Sequence, residues 1–104
     1  MTRPILAATA VALFLPLLST GAAAGPIEKA CLNSDRRGVN RQVCNCIQQV
    51  ADMTLRGADQ RRAAKFFSNP DQAQQVRMSD SDSDNAFWDR YKAFGENASA
   101  LCAG

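Results

Sequence analysis

Four cysteines and an alternating run of aspartates carry most of the reactive chemistry in this chain. Cys31, Cys44, Cys46 and Cys102 could serve as disulfides, zinc ligands or a redox pair. The run "SDSDSDN", Ser79 to Asn85, sets Asp80, Asp82 and Asp84 at alternate positions, as a calcium loop would. An EF-hand loop needs acids at its first, third and fifth positions, glycine at the sixth and a bidentate glutamate at the twelfth. Asp80, Asp82 and Asp84 meet the first requirement. Asn85 stands in place of the glycine and Tyr91 in place of the glutamate, so two ligand oxygens are missing. The expectation is therefore no resident metal, with the three aspartates as the candidates a metal would have to use. The run reads instead as an exposed turn that starts a helix, with Asp82 or Ser83 as its cap and Asp84 in the first turn, where negative charge meets the positive end of the helix dipole.

The cysteines lack the paired C-x-x-C spacing of structural zinc sites, and the chain has no histidine. An even number of cysteines in an exported chain predicts disulfides, here two. Cys44-Asn45-Cys46 falls inside a predicted helix, where about 100° per residue turns the two side chains about 200° apart. They do not pair with each other, which leaves two connectivities. Cys46 with Cys102 and Cys31 with Cys44 is the expected one, because Cys46 lies within an apolar stripe and Cys102 on the core side of the last helix. A C-x-C redox role would need an exposed thiol of lowered pKa, usually at a helix start.

The elements that must position these residues follow from the ends inward. "MTRPILAATAVALFLPLLSTGAAAG" carries Arg3, an apolar run from Ile5 to Leu18 and then Ala22-Ala23-Ala24. It reads as a secretory signal peptide cleaved after Ala24. The apolar run is short for a bilayer span and is interrupted by Pro16. A lipid anchor would need a cysteine where Gly25 stands. Cleavage of 24 of the 104 residues leaves 80, one domain in the size range that leans on covalent staples.

No segment of that domain alternates apolar and polar residues as a strand does. The fold class expected is all-α, a small disulfide-stapled bundle of four to five short helices. The first runs from Pro26 to about Asn33, with proline in the first turn. A second, from Val39 to Leu55, presents Val39, Val43, Cys46, Ile47, Val50, Met53 and Thr54 on one stripe, with Arg56-Gly57 as its stop. A third covers Ala58 to Phe67. The fourth opens at Asn69-Pro70, with Asn69 as cap and Gln72 reaching back to it, and ends near Met78. The last helix has the strongest pattern: Phe87, Tyr91, Phe94, Ala98, Leu101 and Cys102, with Trp88 flanking, as the main core face.

Charge is nearly balanced in the expected mature chain, where loss of Arg3 leaves eleven basic residues against ten acids. Its distribution is uneven: Arg36 to Lys65 holds seven basic residues and two acids, and Asp71 to Asp89 five acids and one basic residue. Such polarity steers anionic partners to the basic half or else reflects solvated helix faces; no nucleic-acid partner is expected. In "DQRRAAKFF" Arg62 is placed to pair with Asp59 three residues earlier, and Phe66 and Phe67 to enter the core. The sequon at Asn97 falls in the last helix and is discounted in a chain of bacterial composition. With no histidine, cysteines engaged in disulfides and only Glu28 and Glu96 as glutamates, no enzyme activity and no cofactor are expected.

The segments "GPIEKAC", "CNCIQQVADMTL", "DQRRAAKFF" and "AFWDRYKAFG" resemble a family of small exported bacterial proteins whose members often carry the label "arginine transporter". The resemblance extends from Gly25 to Cys102. It implies an accessory to uptake, since a transporter needs several spans. An arginine site would require carboxylates near an aromatic surface, for which Asp84 and Asp89 beside Trp88 are the candidates. The reading that results is a small exported binding or accessory protein of the periplasm or exterior, with an envelope protein or a small solute as partner.

Overall fold

In the computed structural model, residues 24–102 are described; the expected signal peptide, apart from its final Ala24, lies outside them. The described residues form five helices and no strand: α1 (Pro26–Leu32), α2 (Arg41–Thr54), α3 (Gly57–Ser68), α4 (Pro70–Arg77) and α5 (Asp82–Cys102). α2 lies between α1 and α5, α3 packs on α1 and α5, and α4 closes against α3 and α5. The expected all-α, disulfide-stapled architecture is the one observed.

α1 has seven residues, too few to persist alone, since helix nucleation is costly and short helices depend on tertiary partners. Three fasteners hold it. Ile27 is fully buried and Cys31 is tied to Cys44. The third is an unusual cap. Gly25 has no side chain to offer the first-turn amides, and the Gln48 side chain of α2 supplies the acceptor instead, taking the Glu28 N–H at 2.9 Å on Oε1. Gln48 is fixed for that task. Its Nε2 donates to Asp52 Oδ1 at 2.9 Å and to Gln60 Oε1 at 2.8 Å, and the Gln60 Nε2 donates to Asp52 and to the Leu55 carbonyl. This network closes a polar seam through α1, α2 and α3, and among the described residues no buried side-chain polar atom lacks a partner.

α2 starts where Asn40 Oδ1 accepts the Val43 N–H at 2.8 Å, two residues after Gly38, whose φ of 78° is the left-handed turn that glycine adopts without strain. Its buried side is not the expected stripe. Cys44, Gln48, Val50 and Ala51 are buried, whereas Met53 is 71% exposed. α2 is covered on two flanks, by α1 and by α5, so its buried arc is wide and includes a glutamine that an apolar-only pattern passes over. Nor does Gly57 stop the helix. Leu55 and Arg56 are extended, Leu55 is buried, and Gly57 opens α3; burial of Leu55 turns the chain without a left-handed residue.

Two further starts are corrected. Asn69 precedes α4, but its side chain makes no capping bond; the Gln72 amide meets the Asn69 backbone carbonyl at 3.1 Å. Pro70 presets the first turn by itself. α5 begins at Asp82, like Ser83 an expected cap, because Ser81 takes that role: its Oγ accepts the Asp84 N–H at 3.1 Å.

The core gathers Ile27, Val50, Ala51, Leu55, Ala63, Phe66, Val76, Phe87 and Phe94. Within it Phe66 meets Tyr91 edge-on at 5.1 Å and Phe87 at 5.9 Å, and Tyr91 lies 5.3 Å from Trp88; edge contacts of this kind add about 0.5–1.5 kcal/mol each to the area they bury. The α5 pattern is thus observed through Phe87, Tyr91, Phe94 and Ala98. Leu101 departs from it at 63% exposed, while Cys102 one residue on is drawn to α2 by its bridge to Cys46.

Two glycines give opposite expectations. A Cβ on Gly25 would stand 2.5 Å from Gln48 Cδ, and Gln48 is not free to retreat. Gly25→Ala is expected to cost about 1–2 kcal/mol through loss of the α1 cap bond. Gly95, inside α5 with nothing near its Cβ direction, should gain up to about 1 kcal/mol as Gly95→Ala. Urea unfolding midpoints of the two variants check the sign of each.

Candidate functional site

α2 sends its two cysteines to opposite flanks. Cys44 joins Cys31 of α1, and Cys46 joins Cys102 at the end of α5, with Cα separations of 5.6 and 5.7 Å. The expected pairing holds, although the burial reasoning behind it does not. Cys44 is fully buried and Cys31 only 2% exposed, whereas Cys46 and Cys102 are both partly exposed. The second bridge borders two depressions. One, of about 230 Å³, is apolar and includes Val43, Ile47 and Ala98; the other, of about 400 Å³, includes Asn40, Gln42 and Leu101. Among the described residues no cysteine is free.

The aspartate run does not gather into a metal centre. Asp82 and Asp84 lie in the first turn of α5 while Asp80 stays in the turn before it, and no cluster of potential metal ligands occurs among the described residues. Asp84 is engaged elsewhere: its Oδ1 accepts from Arg62 Nη2 at 2.6 Å, and the same guanidinium lies 4.5 Å from the centroid of Phe87. Tyr91, at the position where a calcium loop needs its glutamate, sits among the core aromatics. Asp89 does not join Asp84 either. Five residues along a helix place the two about 140° apart, and Asp89 faces Lys92 at 3.7 Å in an exposed pair.

The Arg62–Asp59 pair expected from local spacing is replaced by two crossings from α3 to α5. Arg62 goes to Asp84, and Asp59 receives Arg90 through Nε at 2.7 Å and Nη2 at 3.1 Å. The Arg90 hydrogen bonds hold the Asp59 carboxyl below its ordinary 3.8, with the charges of Arg90, Arg56 and Arg62 adding to the effect and partial burial opposing it. Arg62 first, then the Ser79 hydroxyl, does the same for Asp84. Burial pushes the Tyr91 phenol above 10.0, against a smaller opposing pull from the Arg36 charge.

Arg36 marks another concavity of mixed character. It belongs to the loop between α1 and α2, and its guanidinium lies 5.2 Å over the Phe67 ring at the side of a cleft of about 470 Å³. Phe67, in the last turn of α3, is half-buried, and Ser34 and Ser68 line the cleft with it. A wider, shallow depression of about 690 Å³ runs along α5 past Tyr91, Gly95 and Ser99. Sequence reasoning placed Arg36 in a basic stretch but gave no sign of its aromatic partner 31 positions away. Gln48, Gln60 and Asp52 were also missed; Gln48 sits four residues after Cys44 and three before Ala51, a helical spacing that marks it as inward-facing.

Comparison of the chain with protein-family models, with curated proteins and with solved structures finds no match.

Two measurements follow from this geometry. With graded dithiol reductant under native conditions, Cys46–Cys102 is expected to open before Cys31–Cys44, because the attacking thiolate needs access; alkylation and peptide mapping reads which cysteines were released. For the carboxylates, both Asp59 and Asp84 have folded-state pKa values below the unfolded value. Their stabilisation is therefore present above about pH 4 and is lost as pH falls through the lower folded values. Urea midpoints followed down to about pH 2 should decline, and the decline should flatten in the Arg62→Gln, Arg90→Gln double variant.

Proposed function

We propose that the protein is a non-catalytic binding or accessory protein of an oxidising compartment outside the cytoplasm. The observation that supports this reading is the use of its reactive side chains as fasteners. All four cysteines are in disulfides, Asp59 and Asp84 are bound to arginines, and Gln48, Gln60 and Asp52 bind one another. The surfaces left over are open depressions of mixed lining, such as those past Lys92, Glu96 and Ser99 and past Asn40 and Gln42, which suit contact with a partner better than proton transfer. Disulfides fit an oxidising environment, and among the described residues no helix is long and apolar enough to cross a membrane. The N-terminal segment, read as a signal peptide, supplies the route of export.

A second reading, an accessory to arginine or amino-acid uptake, comes from the family the segments resemble. One contact bears on it: Asp84 and the Phe87 face together hold an arginine side chain, but that side chain is the chain's own Arg62. Free arginine would have to displace it.

Affinity recovery from native envelope extract, across mild detergents and salts, separates the two. The leading reading expects a stoichiometric protein partner, and its absence throughout counts against that reading. The uptake reading expects heat on titration with arginine; no heat at millimolar arginine removes it.

A further inference from the structure

The Arg62 contact provides an internal template for a second site. There a guanidinium rests on an aromatic face, 4.5 Å from the Phe87 centroid, and is completed by the Asp84 carboxylate at 2.6 Å. Arg36 repeats the first half of that arrangement at 5.2 Å over Phe67. The second half is missing: among the described residues no carboxylate lies within ion-pair distance of Arg36. Its guanidinium is nevertheless directed over the aromatic surface, near enough to Tyr91 for its charge to act on the phenol.

We infer that the cleft between the α1–α2 loop and the α3–α4 corner binds the C-terminal residue of a peptide, with Arg36 taking the carboxylate and Phe67 flooring an apolar side chain. At about 470 Å³ the cleft lies within the usual range for small-ligand sites, about 300–1,000 Å³. Its other polar groups select the rest of the ligand. The Ser34 hydroxyl donates to the Cys31 carbonyl at 2.7 Å and the Ser68 hydroxyl to the Lys65 carbonyl at 3.2 Å. With their protons used, both oxygens present only lone pairs, so they accept an N–H and give an anion nothing. Asp35, also in the lining, opposes negative charge in proportion to its amount, so a dianion is penalised about twice as much as a monoanion. A dianionic phosphate is therefore disfavoured, and a single carboxylate next to an amide N–H and an apolar body is favoured, which is the chemistry of a peptide terminus. Contact with Phe67 holds the guanidinium before binding, so less ordering is lost when the ligand arrives.

This inference deepens the binding reading by naming one face and its ligand chemistry, and its test is independent of whether an envelope partner is recovered. The oxidised protein, labelled with ¹⁵N, is titrated with N-acetyl-leucine and, separately, with N-acetyl-leucinamide, which lacks the charge. Saturable shifts confined to Arg36, Phe67, Ser68 and their neighbours, with the amide at least about tenfold weaker, are expected; tenfold corresponds to about 1.4 kcal/mol, the scale of one charge-assisted hydrogen bond. Arg36→Ala should weaken the acid by a similar factor without changing the shifts of α5, which shows that the fold persists. Equal response to acid and amide, shifts centred elsewhere, or no saturation at millimolar acid overturns the inference. So does inorganic phosphate binding more tightly than N-acetyl-leucine at the same residues, since the site would then be a general anion site. Phe67→Leu gives an independent check: it keeps an apolar floor but removes the ring under Arg36, and an unchanged affinity in that variant also counts against the proposal.

Discussion

The structure depends on one helix being fastened on two flanks. Because a helix turns about 100° per residue, cysteines at positions 44 and 46 face away from each other, and each can be satisfied only by a different neighbour. α1 therefore lies on one side of α2 and the end of α5 on the other. With both ends of the described chain tied to its middle, α3 and α4 have to fill the space between. Phe66 is carried into the rings of α5 as a consequence. In a domain this small, closing the long loop between Cys46 and Cys102 is a substantial constraint on the unfolded chain, on the order of 4 kcal/mol in the chain-entropy model.

The first staple also explains why a glutamine belongs in the interior. α1 is brought against α2 with its first-turn amides unsatisfied by Gly25, and a buried amide without a partner costs more than a typical hydrogen bond gains. Gln48 meets that need, and its own remaining hydrogen-bonding capacity then requires Asp52 and Gln60. One local shortage at α1 thus determines three polar side chains on α2 and α3. The close approach of Gln48 to Gly25 makes the absence of a side chain there part of the same arrangement.

Charge is used in the same way between α3 and α5. The basic and acidic stretches of the sequence meet in space where Arg62 reaches Asp84, and Arg90, just past the acidic stretch, reaches back to Asp59, an acid within the basic one. What looks along the chain like a surface polarity for steering partners is in part an internal complementarity. The aspartate run loses its calcium appearance for the same reason, because Asp84 is claimed by Arg62 and the rest serve a helix start. Arg36 stands apart from this pattern, positioned by an aromatic ring and lacking an acid.

Sequence alone determined the features governed by near neighbours. The helical class, the order of the five helices, the proline-led starts of α1 and α4, the aromatic face of α5 and the impossibility of a Cys44–Cys46 bond all follow from periodicity, backbone preference and helical pitch, which act within a few residues. The tertiary structure decided which face of α2 is buried, why Gly57 starts a helix instead of ending one, that Gln48 caps a helix twenty residues earlier, and that Asp59 and Arg62 each choose α5 over each other. Those outcomes depend on how helices are placed against one another. That placement is set by close packing and two covalent bonds, and the preferences of a short stretch of chain do not specify it.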